Sequence, residues 1–209
     1  MNPDDRREAI VSAALAVMVR QGIAATTVRD VAAQMGSSSG LIHHYFASMD
    51  DLLAAAFERA AGQDLQESLE AMSEGRDPVE RLALFLGSYS RADEDWAVQL
   101  WLDAWAEASR RPSLQRTSLR LNEAWQARLA DVIREGVRDG SMTCDDPDAA
   151  SWRLLSLLDG LALQTVAHPR SITRDQAESW SRGLAERELG LPPGRLAGRL
   201  LADRTSARP

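Results

Sequence analysis

Residues 26–51 read TTVRDVAAQMGSSSGLIHHYFASMDD, and this stretch decides the fold. Thr27-Val28-Arg29-Asp30 has the form of a capping box, with a hydroxyl at the cap and an acid three residues on to bond back to it. It predicts a helix of barely two turns, with Val31, Ala32 and Met35 turned inward. Gly36 permits a sharp turn, and Ser37 or Ser38 can cap a second short helix running to about Tyr45. Two short helices joined by a glycine-containing turn form a helix-turn-helix, whose second member enters the major groove of double-stranded DNA. Ile42 and Phe46, four apart, are expected to anchor that second helix to a core. Thr27, Arg29, Ser37, Ser38, Ser39, Gly40, Leu41, His43, His44 and Tyr45 are then the candidate DNA-binding residues. Their hydroxyls, imidazoles and phenol can bond phosphates and base edges, and a leucine can meet a thymine methyl.

Working outward, helix punctuation divides the chain into about nine helices. Asn2 and Pro3 open the first, which runs over about 4–21 and stops at Gly22; Ile10, Ala13, Ala14, Val17 and Gln21 share one face. Ser48-Met49-Asp50-Asp51 starts a long fourth helix over about 49–73, and Asp77-Pro78 a fifth reaching about 91. A sixth covers about 94–110, a seventh 113–139, an eighth 147–166 behind Asp146, and a ninth runs from the Thr173 cap to about 189. Connections are short and no internal repeat is present, as in helical bundles. The expected architecture is all-α: a three-helix head over 1–47, a helical bundle for ligand binding and dimerisation over 48–190, and a weak helix or loose tail over 191–209.

The 209 residues are 44% hydrophobic, enough for a substantial core. Net charge is −7, which argues against a non-specific nucleic-acid coat but not against a small reading face. All 24 basic residues are arginine. No apolar run reaches the roughly 20 residues of a membrane span, and MNPDDRRE does not read as a signal peptide, so the expected location is the cytoplasm. A single Cys144 excludes an internal disulfide, and no cofactor or metal site is expected. His43 and His44 are adjacent and point to different sides of a helix, so they do not share a metal. Phosphate loops, nucleophile elbows and metalloprotease pairs are missing, and the chain is not read as an enzyme.

All six tryptophans lie beyond residue 95, and Trp101 and Trp105 share a helical face with Asp103 between them. Aromatic faces beside carboxylates can hold organic cations, so Trp101, Asp103, Trp105, Trp125 and Trp152 are the candidate ligand-binding residues. Asp93, Glu94, Asp95 and Glu107 add acidic character nearby. The same residues also read as packing for a large bundle and a solvated acidic face. The eighth helix is apolar nearly all round, which requires cover on two sides. One cover is its own core and the other a second copy of the chain, with Leu154, Leu158, Leu161, Trp180 and Leu184 as the candidate dimer interface.

Thr27, Val31, Ala32, Gly36, Gly40, Tyr45 and Phe46, at their spacing, resemble the N-terminal pattern of the TetR family of repressors. Trp101-Leu102, Trp105, Pro112 and Asp159-Gly160-Leu161 resemble, more loosely, the ligand-binding domain of its choline-responsive, BetI-like branch. The resemblance implies a homodimeric, ligand-responsive repressor of a palindromic operator, released by a small-molecule inducer such as an organic cation or amine. One position departs from the pattern: family members often carry Lys three residues after the aromatic pair, and this chain has Met49. Asp50 and Asp51 are expected to compete with a phosphate for the positive end of the fourth helix. Residues 1–47 balance four arginines (6, 7, 20, 29) against four acids (4, 5, 8, 30). A shallow salt dependence of DNA binding follows. So does an alternative, a sensor or scaffold of the same fold with weak or lost DNA binding.

Overall fold

A computed structural model describes residues 2–89 and 95–197, and among them the regular structure is nine α-helices and no strand. These are α1 (Pro3–Gln21), α2 (Val28–Gln34), α3 (Ser39–Tyr45), α4 (Met49–Ser73), α5 (Pro78–Ser88), α6 (Asp95–Ala108), α7 (Pro112–Asp139), α8 (Pro147–Ala167) and α9 (Arg174–Glu188). Most start where a short polar side chain can satisfy the free N–H groups of a first turn. Asn2 and Asp5 form a complete capping box on α1, as do Thr27 and Asp30 on α2 and Thr173 and Gln176 on α9. Asp77 caps α5 and Asp146 caps α8, each followed by proline at the first helical position. Asp93 and Glu94, expected near the tryptophans, and the chain from 198 onward lie outside the described residues.

Packing divides the chain into two compact units. The first takes the chain up to Glu67 together with α6 and α7 as far as Trp125. Its core joins Ile10, Ala14, Val17 and Met18 of α1 to Val31, Ile42 and Phe46 of the helix-turn-helix, and to Leu52, Leu53, Phe57, Leu100 and Leu114. The division therefore does not follow the expected functional boundary at 47/48. Gln21, expected on the buried face of α1, is exposed and instead bonds the Ala25 carbonyl and Asp30.

α1 ends at Gly22, with φ 85° and ψ 158°. That region is open essentially to glycine alone. A Cβ at this position would also lie 3.1 Å from the Asp103 carboxylate. Gly22→Ala is expected to cost about 1–3 kcal/mol, lowering Tm by roughly 2–4 °C per kcal/mol in a chain of this size. Thermal unfolding followed by circular dichroism checks this, and an unshifted midpoint refutes it.

The second unit takes the end of α4 from Ser68, α5, and the chain from Gln126. Here α8 packs on α9, and α9 on α5. The segment beyond α9 is not loose as far as it is described. Glu186 is buried, and its two carboxylate oxygens accept the backbone N–H groups of Gly194 (2.9 Å) and Leu196 (2.8 Å). Arg182 donates to the Leu196 carbonyl, and the Leu196 side chain is fully buried.

Candidate nucleic-acid interface

The helix-turn-helix is built as its sequence suggests. α2 and α3 are joined through Gly36, whose φ of 61° lets the chain turn sharply without a Cβ penalty. Val31, Ala32, Ile42 and Phe46 are buried beneath it, while Arg29, Ser38, Gly40, His43 and His44 are exposed. Ser39, Leu41 and Tyr45 are half-buried, and the Tyr45 ring meets His44 edge-on at 5.2 Å. Ser38 occupies the N-cap of α3 but makes no side-chain cap bond, so its hydroxyl remains unused by the helix. The Ser37 hydroxyl is buried and has no partner among the described residues. Thr27 is occupied: it donates to Asp30 at 2.6 Å and accepts from the Asp30 N–H. The Thr27 hydroxyl first, and then the Thr27 N–H, donate to the Asp30 carboxyl and hold it below its ordinary range.

Of the two acids that open α4, Asp51 bonds with Ser48 as the capping pattern predicts, and both also reach α7. Asp50, in the first turn of α4, accepts from Ser113 N–H (2.8 Å) and Leu114 N–H (3.3 Å) in the first turn of α7. Pro112 has no N–H, so Asp50 serves the free donors that follow it. Asp51 accepts from the Ser48 hydroxyl (2.7 Å) and the Ser113 hydroxyl (2.8 Å), and these bonds, Ser48 first, lower its carboxyl. Both charges are taken up inside the unit.

Asp103 has partners of its own within the unit. Proposed as a carboxylate for a cationic ligand, it accepts from the Ile23 N–H at 3.2 Å and from the Gln99 amide at 3.0 Å. It thereby fastens α6 to the turn between α1 and α2. Its neighbours Trp101 and Trp105 do come together, with ring centroids 5.4 Å apart, and Trp101 meets Phe57 edge-on at 4.9 Å. Trp125 is buried in the same unit, whereas Trp152 belongs to the second unit and is exposed.

The dimer candidates also divide. Leu154, Leu158 and Leu161 are buried within their own unit, Leu154 to 1% exposure, because that face of α8 supplies the core; Leu158 and Leu161 line a small cavity with α9 and α5. Trp180 is 49% exposed and Leu184 half-buried. The open apolar positions of α8 are Trp152 and Leu163. The sequence puts Trp152 among the ligand candidates and does not single out Leu163, because an all-apolar helix does not say which side its own core takes. No described helix is long and apolar enough to cross a membrane.

A helix-turn-helix on a helical body, with no strand among the described residues, defines a DNA-binding transcriptional regulator. Residues 10–56 match the family model described as bacterial regulatory proteins, tetR family, and residues 78–190 match that of the BetI-type transcriptional repressor C-terminal domain. The chain belongs to the TetR family and carries a BetI-type C-terminal domain; that family consists of transcriptional regulators, not enzymes. The HTH-type transcriptional regulator BetI of Rhizobium meliloti strain 1021 is 31% identical over 161 residues, covering 76% of this chain and 77% of that protein. BetI of Escherichia coli K12 is 25% identical over 182 residues, covering 85% and 90%. Among solved structures, a protein from Saccharomonospora viridis in complex with choline superposes with a TM-score of 0.79 at 24% identity, over 89% of this chain and 98% of that one. At that identity the likeness is one of fold.

Proposed function

We propose that the chain is a ligand-responsive repressor that grips a palindromic operator as a homodimer and is released by a small-molecule inducer, with 1–47 as reading head and 48–190 as sensing and dimerising part. The observation that carries this reading is the presentation of α3: Ile42 and Phe46 seat it in the core, while Ser38, His43 and His44 stand open to a groove. Thr27, Arg29, Ser39, Leu41 and Tyr45 extend that face toward phosphates and base edges. Trp152, Leu163, Trp180 and Leu184 supply apolar surface for a second copy. Two-fold symmetry would then repeat the half-site one helical turn or more away.

The inducer is read as an organic cation or amine, held by the faces of Trp101 and Trp105. Choline in the Saccharomonospora viridis protein supports that class. Asp103 and Asp50 give such a ligand a route to the head, since they tie α6 to the α1–α2 turn and α7 to the start of α4. Driving the competent population from 99:1 to 1:99 takes about 5.5 kcal/mol of differential affinity. Mapping bound sites across the genome is expected to return an inverted repeat whose occupancy falls when the inducer is added. Failure to enrich any site sinks the repressor reading and leaves a sensor of the same fold. Choline, betaine aldehyde and polyamines, titrated against tryptophan fluorescence, test the cation; silence from all of them removes it.

A further inference from the structure

The balance of four arginines against four acids in the head suggests that no cation is spare for DNA. The geometry distributes the charges less evenly. Glu8 is paired with Arg59 of α4, Asp5 is bonded to the Asn2 N–H, and Asp30 is held by Thr27. Just beyond the head, Asp50 and Asp51 turn to the first turn of α7. Arg7, on α1, has no hydrogen bond or ion pair among the described residues. Its guanidinium lies 4.8 Å above the centroid of the Phe46 ring. Phe46 is the C-cap of α3, three residues before α4 begins.

We propose that Arg7 is a phosphate-binding residue of the reading head, parked on Phe46 beside the end of α3. This rests on the reading of α3 as the helix that enters the groove. A helix in the major groove is flanked by the sugar–phosphate backbone, and a cation beside its end meets that backbone. Against the ring the guanidinium keeps N–H donors that no other described residue takes up, and such donors suit bidentate phosphate binding. Stacking also limits the side chain's freedom beforehand, so less is lost when the phosphate arrives. Phe46 itself is buried, which fixes the platform. Arg7 would thus place a positive charge at the corner where this chain has Met49.

The test uses the full chain and two duplexes: one enriched by the wild-type protein from a random-sequence pool, and a scrambled control. Affinity is read by fluorescence anisotropy over about 50–200 mM salt, where phosphate contacts dominate the slope. Arg7→Ala is expected to weaken binding to both duplexes by about tenfold or more. The plot of log affinity against log salt should become shallower by about 0.9 for each bound subunit. Arg7→Lys keeps the charge and should hold the slope near the wild-type value. If wild type binds and Arg7→Ala leaves slope and affinity unchanged, the proposal is overturned. It is equally overturned if affinity falls with the slope intact and Tm lowered, the signature of a packing role. If wild type binds neither duplex, the repressor reading fails and this inference falls with it.

Discussion

Asp159→Asn is expected to stabilise the protein above pH 7 and to change nothing near pH 4. Asp159 sits on α8 between Leu158 and Gly160, half-buried, with no hydrogen bond or ion pair among the described residues. Burial pushes its carboxyl from 3.8 up to about 7. Below pH 3.8 the group is neutral in both folded and unfolded chains, and whatever its neutral form contributes is fully present. As pH rises toward 7 the unfolded chain gives up its proton while the folded chain retains it, so stability falls across that window. Above 7 the loss is complete. At 1.36 kcal/mol per unit the full shift sets a ceiling of roughly 4 kcal/mol; partial access to water brings the expectation to about 2–3 kcal/mol. Thermal melts of both proteins from pH 4 to 8.5, at one protein concentration, should show the curves separating as pH rises. Superimposable curves would mean the carboxylate is solvated after all.

Glu186→Ala should lower stability at every pH in that range. The substitution removes the acceptor of two backbone N–H groups, and the one at Leu196 is in the interior. A buried donor left without a partner costs about 1–3 kcal/mol, and the lost charge-assisted bond to Gly194 brings the total to about 2–4 kcal/mol. Amide exchange at Leu196 should accelerate together with the fall in Tm, and proteolysis should begin near Pro192–Pro193. Glu186→Gln keeps one acceptor and should fall between the two. Protection at Leu196 that survives Glu186→Ala would show that Arg182 and apolar packing hold the segment by themselves.

What the sequence disclosed and what it withheld differ by the range of the interactions involved. Helix starts were legible because a cap and its donors lie within three residues: Thr27 with Asp30, Asp146 with Ala149, Thr173 with Gln176. The buried face of α3 was legible from the spacing of Ile42 and Phe46. The destinations of the carboxylates were not. Asp50 reaches donors 63 and 64 residues away, and Asp103 one that is 80 residues away. Nothing local marks such acids as different from those on a solvated helix face. Arg7 was overlooked for the same reason, since its ring partner lies at the far end of the helix-turn-helix. Counting charges gave the right total and the wrong distribution.

The Asp103 bond to the turn after α1 and the Asp50 bond to α7 bear on protein engineering. Hybrid regulators are commonly imagined as a head grafted onto a foreign body at the start of the fourth helix. Here that cut would separate the head from Asp103 and leave the Ile23 N–H without its acceptor. An interchangeable part for this chain must be discontinuous: the residues through α3 and the first part of α4, transplanted together with α6 and the leading half of α7.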